Sequence, residues 1–144
     1  MADDDTIKLL KECNAGVKMA VTSIDEVFDA VKDDKLRDML SKNKEEHETL
    51  GDQTHVLLEK YNDSEKDPNP IAKAMSWMKI NMKLMKDSSD HEVADVITDG
   101  CNMGTKTLHK YLNQYKAASD EAKDITKKLI DLEETLIKDL RPYL

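Results

Sequence analysis

Aromatic residues make up only 4% of this 144-residue chain, and Trp77 and Phe28 are the single members of their kinds. Stacking on nucleic-acid bases therefore has little to work with, and any core must be filled by Leu, Ile, Val, Met and Ala. Turn formers are as scarce: four glycines and three prolines are too few for a sheet protein. Cys13 and Cys101 cannot form a disulfide framework and are too widely separated for a CxxC redox or zinc motif, so they read as buried free thiols. No apolar run approaches the roughly 20 residues that span a bilayer. The acidic opening, Asp3, Asp4 and Asp5, lacks the basic-then-apolar design of a signal peptide, and a cytoplasmic protein is the expectation.

What is abundant is charge and aliphatic surface in near balance. The chain is 39% hydrophobic and 36% charged, the composition of helices with one apolar stripe and a charged outer face. A formal charge of -8 repels phosphate backbones and anionic headgroups alike, so neither nucleic acid nor a membrane surface is an expected partner. A chain of this length buries enough surface for one domain with a real core, here taken as 1–144.

The apolar pattern divides into helices. Leu10, Cys13, Val17, Val21, Ile24, Phe28 and Val31 follow Ile7 in steps of three and four, one helical stripe. Asp33 and Asp34 can cap a second helix whose stripe runs Leu36, Leu40, Asn43, His47, Leu50, Thr54, Leu57 and Tyr61. The short gap between these patterns requires an antiparallel hairpin, over 5–61. The polar stretch NDSEKDPNP, Asn62 to Pro70, is a linker that lets a third, shorter helix begin; that helix carries Met75, Met78, Met82 and Met85 on one face with Trp77 beside them. Ser89 and Glu92 fit a capping box for a fourth helix reaching about Lys116. Ser119 or Asp120 then caps a fifth, with Ile125, Leu129, Leu132, Leu136 and Leu140 as its stripe. The second hairpin thus covers 89–144, with linker and crossover helix in 62–88.

The two hairpins echo each other. Cys13-Asn14-Ala15-Gly16-Val17-Lys18 matches Cys101-Asn102-Met103-Gly104-Thr105-Lys106 at four of six positions at an offset of 88, and Glu48-Thr49-Leu50 matches Glu134-Thr135-Leu136 at an offset of 86. Two matches in chain order within equivalent helices point to a duplicated hairpin. Such copies can pack as four helices about an approximate twofold axis, with the segment between them running the length of the bundle; a simple up-and-down five-helix bundle is the competing topology. Gly16 and Gly104 recur inside helices, where glycine costs about 1 kcal/mol against alanine, so each is expected at a close helix-helix contact. Asn14 and Asn102 are expected to face inward and, with Asn43, to form a polar core that sets helix pairing.

The segments CNAGVK, EEHETL and CNMGTKTLHKYL resemble an uncharacterised bacterial four-helix-bundle family of the ferritin-like superfamily. That resemblance implies an all-α, ferritin-like four-helix bundle of two antiparallel hairpins joined by a crossover segment. Metal-oxidising members of the superfamily use a Glu from each of two helices and a Glu-x-x-His from each of the other two. Here Lys44, Ser88 and Lys106 stand three residues before His47, His91 and His109, and only Asp52 and His55 have that spacing, away from the apolar stripe. The resemblance therefore implies the architecture without the di-metal ligands, and no cofactor.

His47 sits on an apolar stripe and aligns with Glu133 of the fifth helix. The two either meet as a buried polar pair or lie at the solvated edge of their stripes. No catalytic constellation is visible. The first functional reading is a non-catalytic bundle that works by association, as a homodimer or with a protein partner; Met75, Trp77, Met78, Met82 and Met85 read first as core packing and, if exposed, as the partner surface. The second is a degenerate metal-binding or oxidoreductase protein using Glu45, His47, Glu48, Glu133 or Glu134. A third, a small molecule held between the helices, has no sequence motif of its own.

Overall fold

The computed structural model describes residues 2–61 and 89–144. They form four helices, α1 (Ala2–Phe28), α2 (Asp34–Lys60), α3 (Asp90–Gln114) and α4 (Asp120–Leu140), and a terminal 3-10 turn, Arg141–Tyr143. No strand occurs among the described residues, and none of the described helices is long and apolar enough to cross a membrane. The third helix expected from the sequence, with Met75, Trp77, Met78, Met82 and Met85, lies outside the described residues. The choice between a crossover and a five-helix up-and-down topology falls there too.

Local chemistry sets the helix ends. Ser89 Oγ accepts the Glu92 N–H at 3.2 Å, and Ser119 Oγ accepts that of Ala122 at 3.2 Å, each meeting one of the donors that a helix N-terminus leaves without an internal partner. Asp33 stands at the N-cap of α2 with extended backbone. Its carboxylate accepts the Tyr143 hydroxyl, and that bond holds its pKa below the usual carboxylate range. The start of each hairpin also ties down the turn of the other. Asp90 accepts the Lys32 and Asp33 N–H groups at 2.7 and 3.1 Å, while Asp5 and Thr6 accept those of Ala117 and Ser119 at 3.0 and 2.8 Å.

Two apolar layers close the ends of the bundle. One gathers Ile24 and Val27 from the end of α1, Leu36 and Leu40 from the start of α2, Val93 and Ile97 from the start of α3, and Leu136 and Leu140 from the end of α4. The other joins Leu9 and Leu10 of early α1, Leu57 and Leu58 of late α2, Leu108 of late α3, and Ala122, Ile125 and Leu129 of early α4. It follows that α1 runs parallel to α4 and α2 parallel to α3, and that Tyr61 and Ser89 stand at opposite ends. Each hairpin packs on itself, α2 on α4 and α1 on α3; α1 and α4 also touch across the short diagonal. Between the layers the interior turns polar.

Candidate functional site: a polar waist beside an apolar cavity

The waist is built from Asn14 on α1, Asn43, His47 and Thr54 on α2, and Glu133 on α4, all buried; His47 is 1% exposed and Glu133 6%. Helical spacing explains part of it, because Asn43 and His47 are one turn apart on the face that continues Leu36 and Leu40. Asn43 Nδ2 donates to the Leu132 carbonyl at 3.2 Å, which links α2 to α4. Asn14 Nδ2 donates to Thr54 Oγ1 at 3.2 Å, linking α1 to α2, and the Thr54 hydroxyl is itself spent on the Gly51 carbonyl at 2.6 Å.

Hydrogen bonding assigns the protons. His47 Nδ1 lies 3.0 Å from the Asn43 carbonyl, which can only accept, so Nδ1 carries the hydrogen and Nε2 presents a lone pair. Burial lowers the histidine's basicity and keeps the ring neutral near pH 7. Burial alone pushes the Glu133 carboxyl up to about 8. The Cys13 thiol, buried beside Thr126 at 3.1 Å, is pushed up to about 12, and burial raises Cys101 as well. Neither thiol is a ready nucleophile.

Four polar atoms in this waist find no hydrogen-bond partner among the described residues: Asn14 Oδ1, Asn43 Oδ1, His47 Nε2 and Glu133 Oε2. An unmet buried polar atom costs about 1–3 kcal/mol, and the two amide oxygens and His47 Nε2 each want a donor. Two cavities adjoin them. An outer one of about 170 Å³ opens between α1 and α3, walled by Gly16, Met19, Met103, Gly104, Tyr111 and Leu129 and reached by His47 and Glu133. An inner one of about 30 Å³ is lined by Ser23, Asn43, His47, Cys101 and Glu133 among others. Met19, His47 and Glu133 are walls of both.

The expected pair is therefore half right in its placing. His47 and Glu133 are both buried in the waist and not at a solvated edge, yet no hydrogen bond joins them, since His47 Nε2 has no partner. Glu48, Glu134 and Glu45 are exposed, and Glu134 lies 3.9 Å from the exposed His109, so these carboxylates do not converge with His47 and Glu133 on an interior metal. They fall on the outward positions of helices whose other face is in the core. Among the described residues no group of three or more His, Cys, Asp or Glu is placed to hold a metal ion.

Two further expectations need correcting. Asn102 is exposed while Asn14 is buried; the stripe of α3 runs through Cys101, Gly104 and Leu108 and leaves Asn102 on the outer face. Among the described residues Gly16 makes no close helix contact. A Cβ built there meets nothing within 4 Å, because it points toward the cavity it helps to line. Gly104 is close-packed as expected, but against a side chain: its Cβ would lie 2.5 Å from both Glu133 carboxylate oxygens. Sequence reasoning passed over Gly51, where a Cβ would come within 2.9 Å of Val17; a glycine in mid-helix was the available signal. It also passed over Met19, Met103, Tyr111 and Leu129 as cavity walls, which carry no signal beyond ordinary apolar residues.

Searches against protein-family models, curated proteins and solved structures give no match to this chain.

Proposed function

We propose that this chain is a ferritin-like bundle, grown by duplication of one hairpin, that captures a small molecule non-catalytically in its waist. The observation that carries the reading is the outer cavity, whose walls are mostly apolar apart from Glu12 and Thr107 and include two buried residues, His47 and Glu133, each with a polar atom that lacks a partner. A cavity of about 150 Å³ is enough to take up a benzene ring, so about 170 Å³ suits a ring with a short arm. A few convergent polar groups on an otherwise apolar wall are the usual make-up of a ligand site.

The duplication reading draws support from α2 and α4. At an offset of 86, Leu36, Leu40, Asn43, His47 and Thr54 pair with Ala122, Thr126, Leu129, Glu133 and Leu140, and all ten are buried. The reciprocal tying of turns, and the parallel runs of α2 with α3 and α1 with α4, fit an approximate twofold axis through the waist. On this reading Gly16 and Gly104 occupy equivalent places in the two copies, Gly16 facing the outer cavity and Gly104 packed against the Glu133 carboxylate.

The test is titration with benzyl alcohol while following amide cross-peaks by NMR. Saturable shifts are expected at Gly16, Gly104, His47 and Glu133. Gly16→Leu, which fills the outer cavity without a backbone clash, should abolish them in a folded protein. Binding that survives Gly16→Leu unchanged would place the ligand elsewhere and end the reading.

A further inference from the structure

The waist has a one-sided hydrogen-bonding character, and that narrows the ligand. The unmet atoms around the inner cavity are Asn43 Oδ1 and His47 Nε2, which can only accept, and Glu133 Oε2, which accepts once the carboxyl is ionised. Their donor-bearing partners are already committed, Asn43 Nδ2 to Leu132 and His47 Nδ1 to the Asn43 carbonyl. The inner cavity, about 30 Å³, has the volume of one water molecule in the liquid. A primary ammonium group is close to that size and carries three N–H donors.

Resting on the reading of the outer cavity as a ligand site, we infer that the ligand is a primary amine on a small apolar body. Its ammonium head sits in the inner cavity, donating to His47 Nε2, Glu133 Oε2 and Asn43 Oδ1, and its body fills the outer cavity. Glu133 supplies the counter-charge, and charge-assisted hydrogen bonds from the head satisfy the buried carboxylate.

The surroundings favour a cation. Among the described residues no lysine or arginine lines either cavity, whereas Glu12 joins Glu133 on the outer wall. The walls offer the Tyr111 ring and the thioethers of Met19 and Met103, surfaces that tolerate a nearby positive charge. The chain's charge of -8 raises the local concentration of cations. Gly104 holds the place open: with no Cβ, it lets the Glu133 carboxylate lie against α3. Among the described residues, the ionisable groups that share cavity walls with Glu133 are Glu12 from α1, His47 from α2, and Cys101 and Tyr111 from α3; none is a cation near pH 7. The carboxyl therefore holds its proton in the empty site at that pH, since its ionisation is pushed up to about 8. An incoming ammonium ionises it and sends that proton to the buffer.

The experiment compares benzylamine, N,N-dimethylbenzylamine and benzyl alcohol by calorimetry on the full chain at pH 7 in two buffers of different ionisation enthalpy. Benzylamine is expected to bind roughly tenfold or more tighter than the other two, the scale of a charge-assisted bond together with two further donors. It should release a substantial fraction of one proton per site. Glu133→Gln should weaken benzylamine at least about tenfold. If benzyl alcohol binds as tightly as benzylamine, or the native protein releases no proton on binding benzylamine, the amine assignment is overturned while the cavity reading stands. If none of the three binds, the cavity reading itself fails. The proton count is read on the native chain, so the result does not depend on the Glu133→Gln protein folding.

Discussion

The ends of the bundle and its waist are made of the same four helices but obey different rules. At the ends, Leu9, Leu10, Leu36, Leu40 and Leu140 are fully buried against other aliphatic groups, and the gain is the area removed from water, about 1.5–3 kcal/mol for each such side chain. In the waist, buried amides, an imidazole and a carboxyl lose hydration that the protein only partly returns. The lesson is a division of labour: the ends supply the stability that lets the middle keep unmet acceptors and a cavity.

That contrast is broken most severely from the ends. Leu40→Ala is expected to cost about 2–5 kcal/mol in chemical denaturation, since it removes a fully buried side chain from a packed layer. A loss under 1 kcal/mol would show that the end layers are not the stabilising element.

The waist should respond in the opposite sense. The folded state holds the Glu133 proton up to about pH 8, where the unfolded chain releases it near 4.5. More protons are therefore bound folded than unfolded across that window, and stability falls as pH rises through it. Glu133→Gln should remove that fall and gain about 3–4 kcal/mol at pH 8.5 relative to pH 5; equal stability profiles for the two proteins would show the carboxyl to be solvated. His47 acts at the acid end. Its basicity is lowered in the fold, so stability is lost as pH falls below about 6.5, where the unfolded histidine takes up a proton.

The glycines sharpen the comparison on a smaller scale. Gly51→Ala should lose about 1 kcal/mol, because the branched Val17 side chain 2.9 Å away has little freedom to give. Gly16→Ala should gain about 0.5–1 kcal/mol, since the new methyl meets open cavity and the helix loses a flexible residue. Thermal unfolding of the pair reads both signs together. The same sign for both would mean that the tertiary surroundings of these positions do not matter.

Much of the frame was legible in residue order. The Ser89 and Ser119 caps, the stripes through Leu36 and Leu40 and through Ile125 and Leu129, and the burial of Cys13 and Cys101 all follow from local chemistry and a 3.6-residue period. Asn43 and His47 were visible on an apolar stripe, as was the alignment of His47 with Glu133. The errors arose where a pattern shared by two helices was read as a shared environment. Cys-Asn-x-Gly recurs in α1 and α3, yet its Asn is buried in one and exposed in the other.

Periodicity alone determined that this chain makes amphipathic helices, which face of each is apolar, and where the turns fall, because those properties depend on residues only a few positions apart. Only the tertiary structure decided that Gly16 opens on a cavity while Gly104 receives a carboxylate, that Glu48 and Glu134 lie outside, and that His47 and Glu133 are buried in the walls of the same two cavities, each with an unmet polar atom. Those facts depend on how far each helix is rotated and slid against its neighbours. A rotation of a few tens of degrees moves a side chain from wall to solvent without changing the hydrophobic period at all.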